Sequence, residues 1–218
     1  MNTSSKTRKF VRILVDWYDS NRRDYPWRKT KDAYSILIAE LMLQRTKADQ
    51  VVPTYKKFLT KYPDPQSLAK ASLSDIRKEI KSLGLNKRAF VFKRLGKDLV
   101  KKFDGKVPSE REELLELFGV GDYVANAMMC HSFGKMVPTV DANFARVLKR
   151  VFSIKVKEPA QKDKKIWKFA ESLMPFSGSK SSQFNLAIID IGGNICTPRR
   201  PKCQICPLRN ICDYYLSS

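Results

Sequence analysis

Cys196, Cys203, Cys206 and Cys212 stand within seventeen residues in the pattern C-x6-C-x2-C-x5-C. Thiolates are soft ligands, and four of them this close can wrap one compact inorganic group. Zinc usually takes two separated C-x2-C pairs. Here there is one such pair with unequal arms, which suits a cubane [4Fe–4S] cluster better and leaves a zinc ion as the alternative. The opening Met-Asn-Thr-Ser-Ser-Lys-Thr-Arg-Lys leads into no apolar run, so no secretory signal and no disulfide framework are expected. Cys130 falls outside the spacing and reads as a core residue.

Two further stretches can carry chemistry. In Leu117-Phe118-Gly119-Val120-Gly121-Asp122-Tyr123 a pair of glycines separates two helical segments. Such a turn is an ordinary helix connection, or one whose N–H groups, at the next helix N-terminus, hold a phosphate. Glu40 sits inside Ile36-Leu37-Ile38-Ala39-Glu40-Leu41-Met42-Leu43. A carboxylate in so apolar a helix is costly unless it is partnered or functional; the alternative is one polar position on a buried helix. Asp141, just ahead of an apolar helix, can serve as an N-cap.

Charge selects the partner. Forty-two Lys and Arg oppose 22 acids, a net charge of +20 and a pI near 9.9. That excess favours a polyanion through counterion release, and nucleic acid over an anionic membrane, since no basic amphipathic helix with a bulky apolar face stands out. The longest apolar stretches, Ser35–Leu43 and Phe184–Ile191, fall far short of the roughly 20 residues of a membrane span. A cytoplasmic, nucleoid-associated monomer is expected.

The cysteine spacing resembles, without insertion or deletion, the [4Fe–4S] loop of the endonuclease III superfamily of DNA glycosylases. Arg199, Arg200 and Lys202, with Arg209, thread through it as a phosphate-contacting loop requires. Leu117–Gly121 resembles the superfamily's L-P-G-V-G helix-hairpin-helix signature, with Phe118 in place of proline; Gly119, Val120 and Gly121 are then the residues that approach DNA. Val140-Asp141-x-Asn143-x-x-Arg146 resembles its V-D-x-N-x-x-R setting, in which the aspartate is the catalytic carboxylate. Cleaving an N-glycosidic bond builds positive charge on the sugar, which a fixed anion stabilises while it orients or deprotonates water. The base must first leave the stack.

The same resemblance narrows the reaction. Two residues after the second hairpin glycine, bifunctional members carry a lysine that forms a Schiff base; this chain has Tyr123, as in the archaeal thymine/uracil mismatch glycosylases, unless that tyrosine only packs on the core. A monofunctional enzyme acting on thymine or uracil opposite guanine in duplex DNA is expected. Glu40 is shared with adenine glycosylases and does not separate the two; for thymine the resemblance implies hydrogen bonding and water placement. Gln44 and Arg45 resemble the residues that fill the hole left by a flipped base, and Leu85 a second wedge; otherwise they are a solvent-exposed helix end and a core leucine. The Arg23-x-x-Pro26-Trp27-Arg28 element argues against a plain endonuclease III. Adenine removal opposite guanine or 8-oxoguanine is the second enzyme reading, disfavoured by Tyr123 and by the lack of a C-terminal domain after the cluster. A non-catalytic iron–sulfur DNA-binding regulator is the reading from another class.

The elements that must position these residues are helices. Apolar residues recur at helical spacing throughout, with no convincing β-sheet, so the fold class is all-α. Helices are expected over Lys9–Ser20, Ala33–Arg45, Pro53–Lys61, Ser74–Ser82, Asn86–Phe103, Glu110–Phe118 (capped by Ser109), Asp122–Phe133, Ala142–Phe152, Ile166–Met174 and Ser182–Gly192. Tyr62–Pro65 reads as a break, and 155–163 as a polar linker. The resemblance implies two helical lobes with DNA and the flipped base between them. One spans 32–149 and holds the hairpin at about 110–133. The other joins 1–31 to 150–218, with the cluster loop at 196–212. The lone His131 receives no role.

Overall fold

The computed structural model describes residues 3–84, 88–175 and 177–217. Among them every regular element is helical. The α-helices are α1 (Thr3–Asn21), α2 (Ala33–Leu43), α3 (Ala48–Lys61), α4 (Pro65–Lys70), α5 (Leu73–Ile80), α6 (Ala89–Phe103), α7 (Arg111–Leu115), α8 (Asp122–His131), α9 (Ala142–Phe152), α10 (Lys164–Ser172), α11 (Gly178–Asn194) and α12 (Asp213–Leu216). They group into two compact units: a central unit, 24–133, and a terminal unit formed by 1–23 with 134–218.

The central unit is built on α2. Its sequence is apolar on every side, and Ile36, Leu37, Ile38, Ala39, Leu41 and Met42 are all buried, as a helix without a polar face must be. Asp32 opens it, its side chain accepting from the Ser35 N–H at 2.7 Å. The break expected at Tyr62–Pro65 is present at 62–64, between α3 and α4, and Pro65 opens α4. Asp64 and Ser67 form a reciprocal capping box, and Pro65 takes the first helical position, where its missing N–H costs nothing. Gly96 lets α6 come close to α4, since a Cβ there would sit 2.8 Å from the Ala69 nitrogen. Helix α7 is shorter than expected and Ser109 is not its cap: the N-cap residue is Glu110, with no side-chain capping bond.

The terminal unit is built on α11, around Phe184, Ile188 and Ile191, with Phe10 and Leu14 of α1 and Phe144, Val147, Leu148 and Val151 of α9 in the same core. The units therefore part at 23/24 and 133/134, not at 31/32 and 149/150. Helix α9 follows the hairpin in sequence, but its apolar face belongs to the core of α1 and α11. Just before α9, Thr139 is fully buried, and its hydroxyl has no hydrogen-bond partner among the described residues. An orphaned buried hydroxyl costs about 1–3 kcal/mol. Thr139→Val, of nearly the same shape, is therefore expected to raise Tm by roughly 2–4 °C per kcal/mol recovered. A thermal melt showing a lower Tm would mean the hydroxyl is engaged.

Candidate functional site

In the central unit the hairpin joins α7 to α8. Gly119 has φ +89°, and a Cβ on it would lie 2.4 Å from Val91 Cγ1. Both facts demand glycine there. The Val120 N–H donates to the Leu117 carbonyl at 3.1 Å. Gly121 is the N-cap residue of α8, and nothing lies within 4 Å of where its Cβ would be, so backbone approach from that side is open. Phe118, where the resembling signature has proline, is exposed and packs edge-on against the exposed Phe90 at 5.5 Å.

Gln44 closes α2 and donates through Nε2 to the Gly119 carbonyl at 3.3 Å, tying the helix end to the hairpin. Arg45 is exposed with φ +62°, a left-handed conformation costing a non-glycine residue of order 1 kcal/mol or more, and one that gathers at functional sites. Leu85 lies outside the described residues. Glu40 is buried, 8% exposed, on α2. Tyr123, in the first turn of α8, is half-buried and packs against the central core, so packing accounts for at least part of its presence. His131 is buried, and burial, followed by Arg28 and Lys31, lowers its pKa to about 3; it is neutral at any physiological pH.

The terminal unit holds Asp141 and the cysteines. Asp141 does cap α9: Oδ1 accepts from the Phe144 N–H at 2.7 Å. Its other oxygen, Oδ2, accepts from Asn143 Nδ2 at 3.0 Å, and the residue is half-buried. Burial pushes the carboxyl up from the usual aspartate value, against the lowering effect of these hydrogen bonds and of Arg146. Asn143 is held in turn by Arg146, whose Nη2 donates to Asn143 Oδ1 and to the Gly192 carbonyl, both at 2.7 Å. The Arg146 Nε donates to the Cys196 carbonyl at 2.8 Å. One guanidinium thus connects the amide beside the carboxylate to the first cysteine of the loop.

The four thiols line one pocket, and none is in a disulfide. Among the described residues no group of three or more His, Cys, Asp or Glu side chains is placed to hold a single metal ion. Four soft thiols lining one pocket are the donor set that an iron–sulfur cluster takes. Burial, with the neighbouring thiols adding to it, raises Cys206 to about 11, so the thiolate state needs a compensating cation of the kind cluster irons supply. Arg150 braces the loop. It donates to the Thr197 and Pro198 carbonyls, each at 2.7 Å, approaches Cys196 Sγ at 3.3 Å and covers the Tyr214 ring at 4.8 Å. Arg199, Arg200 and Lys202 project from the braced loop, all exposed.

Sequence reasoning missed Arg150. Nothing local marks it, since the carbonyls it holds lie in the cysteine loop. The Arg23–Arg28 element, by contrast, acts as a brace. Arg23 Nη2 pairs with the fully buried Asp190 carboxylate at 2.6 Å, Tyr25 donates to Asp49 at 2.8 Å and Tyr25 stacks on Trp27.

Comparison with known proteins places these features. Residues 38–172 match the HhH-GPD superfamily of base excision DNA repair proteins, and residues 196–212 match the iron–sulfur binding domain of endonuclease III. A thymine/uracil-DNA glycosylase from Methanothermobacter thermautotrophicus is 41% identical, over 98% of this chain and 96% of its own length. One from Pyrobaculum aerophilum is 40% identical over 95% of this chain and 92% of its own length. The human adenine DNA glycosylase is 33% identical over 91% of this chain and 38% of its own length. A solved thermostable thymine-DNA glycosylase superposes with a TM-score of 0.94 at 40% identity, covering all of both chains.

Proposed function

Because this chain belongs to the HhH-GPD superfamily of base excision DNA repair proteins and carries that iron–sulfur domain, we propose that it is a monofunctional DNA glycosylase removing thymine or uracil mispaired with guanine. The full-length relatives near 40% identity that bear the name thymine/uracil-DNA glycosylase carry this reading; the human adenine glycosylase is further away. The enzyme acts as a monomer on duplex DNA. The cluster loop presents Arg199, Arg200 and Lys202 to phosphates, and the hairpin Gly119-Val120-Gly121 offers its backbone on the open Gly121 side. Gln44 and Arg45 occupy the gap left by the extruded base, Arg45 already holding an unusual backbone conformation.

Asp141 performs the chemistry. As the N-glycosidic bond lengthens, charge grows on the sugar, and the anchored carboxylate stabilises it and orients the attacking water. Glu40 places water or hydrogen-bonds the departing base. The product is an intact strand with an abasic site, because Tyr123 offers no amine. The deciding experiment is base release from duplexes carrying one G·T, G·U, A·G or A·8-oxoguanine pair, scored with and without alkali. Alkali-dependent cleavage confined to G·T and G·U is the expected result. Cleavage at the adenine pairs would transfer the protein to the adenine class, and binding without release at any pair would leave it a DNA-binding regulator.

Tyr123 gives a gain-of-function prediction. Tyr123→Lys puts a primary amine where bifunctional members have one. The variant is expected to be trapped covalently on a substrate duplex by borohydride, with the wild type untrapped beside it. Trapping of the wild type would end the monofunctional assignment.

A further inference from the structure

We propose that α11 is the template that sets the Asp141 carboxylate, through two positioning residues, Asn185 and Gly192. The inference rests on reading Asp141 as the catalytic carboxylate. Residues 134–141 form no regular element, so their backbone groups must find partners elsewhere. The fully buried Asn185 supplies them. Its Oδ1 accepts from the Thr139 N–H at 3.0 Å, and its Nδ2 donates to the Val137 carbonyl at 2.9 Å. One amide therefore pins the approach to Asp141 as a neighbouring strand would.

Gly192 fixes the far side. It follows Asn185 by seven residues, almost two full helical turns, so both lie on one face of α11 about 10 Å apart. A Cβ on Gly192 would stand 2.7 Å from Asn143 Cβ and 3.1 Å from the Asn143 carbonyl carbon and oxygen. Only glycine lets the first turn of α9 lie on the α11 backbone. In that contact the Gly192 carbonyl holds Arg146, Arg146 holds Asn143 Oδ1, and Asn143 Nδ2 holds Asp141 Oδ2. A glycine serving packing alone would leave the orientation of that amide unaffected by its removal.

The test uses the cluster-loaded protein, with loading checked by visible absorbance. Single-turnover release from a G·U duplex is measured beside Kd for the same duplex carrying a non-hydrolysable uridine analogue. Displacing a reacting group by about an ångström costs up to about 10²-fold in rate. Gly192→Ala is therefore expected to slow release by roughly 10- to 100-fold, with Kd changed less than about twofold. In an Asn143→Ala background, where the amide is already gone, the same change should cost less than about threefold, because residues acting through one network do not add. Asn185→Ala, far from the cysteine loop, should likewise slow release at unchanged Kd, and it decides the matter if Gly192→Ala fails to fold or load. Release within twofold of wild type in a folded variant, or additive losses in the Asn143 background, overturns the inference. If Asp141→Asn keeps its rate, the functional reading fails instead, and the two failures are told apart.

Discussion

Asp141→Asn is expected to slow base release by a factor on the order of 10²–10³ or more, the usual cost of removing one preorganised electrostatic group, while leaving the protein folded and bound to DNA. The prediction separates the observed role of this side chain, the cap, from the proposed one, the charge. As an N-cap, Asp141 accepts from the Phe144 N–H, and asparagine caps a helix about as well as aspartate. Stability is therefore nearly indifferent to the exchange. As a charge, asparagine is no substitute. If the residue mattered only as a cap, release would survive. A melt and a single-turnover assay on the same preparation decide it. The sign of the pH dependence follows from the same environment. On the proposed mechanism the charged form is the active one, and burial raises its pKa above the usual aspartate value. Release by the wild type is thus expected to fall as pH drops through that raised value, so the acid limb should lie above pH 3.8.

Loss of one cysteine should be the most destabilising change. Cys206→Ala is expected to abolish the iron–sulfur absorbance and lower Tm by on the order of 10 °C, since ligand binding in such a loop is folding free energy and several kcal/mol translate to that shift in a chain of this size. The segment from 196 to 217 owns little regular structure beyond the four-residue α12 and two short 3-10 turns. Yet it delivers Leu208 and Ile211 into the terminal core. Without its centre the loop has nothing to hold those residues in place. DNA affinity should fall with it, because Arg199, Arg200 and Lys202 lose their placement. In the intact protein, Arg200→Ala alone should reduce the slope of log K against log salt by about 0.9 if it neutralises one phosphate. An unchanged slope would remove Arg200 from the interface. Wild-type melting and absorbance in Cys206→Ala would remove the cluster from the account of stability.

What the sequence disclosed depended on range. The cysteine spacing is a local pattern, and so is the α9 periodicity, whose expected bounds, 142–152, match the observed helix. Helix α4 escaped because Pro65 reads as a breaker until the flanking Asp64 and Ser67 are seen to cap it. The partners of α9 escaped for another reason. Its apolar face is plain in the sequence, but nothing local says that the face meets Phe184 of α11 rather than the hairpin helices before it. Arg150 was invisible on the same ground, since the carbonyls it holds lie 47 and 48 residues away.

Helix α9 bears Asp141 at its entrance and, nine residues on, the arginine that braces the basic loop. At 1.5 Å per residue the two are separated by about 13–14 Å of stiff rod. If the proposed roles hold, that rod works as a gauge block: the distance from the grip on the strand to the bond being cut is machined into one part rather than assembled from several. Inserting or deleting a single residue between 142 and 149 would shift one end by about 1.5 Å and rotate it by about 100°. Natural variation in length should therefore collect in the loops around α9 and spare the helix itself.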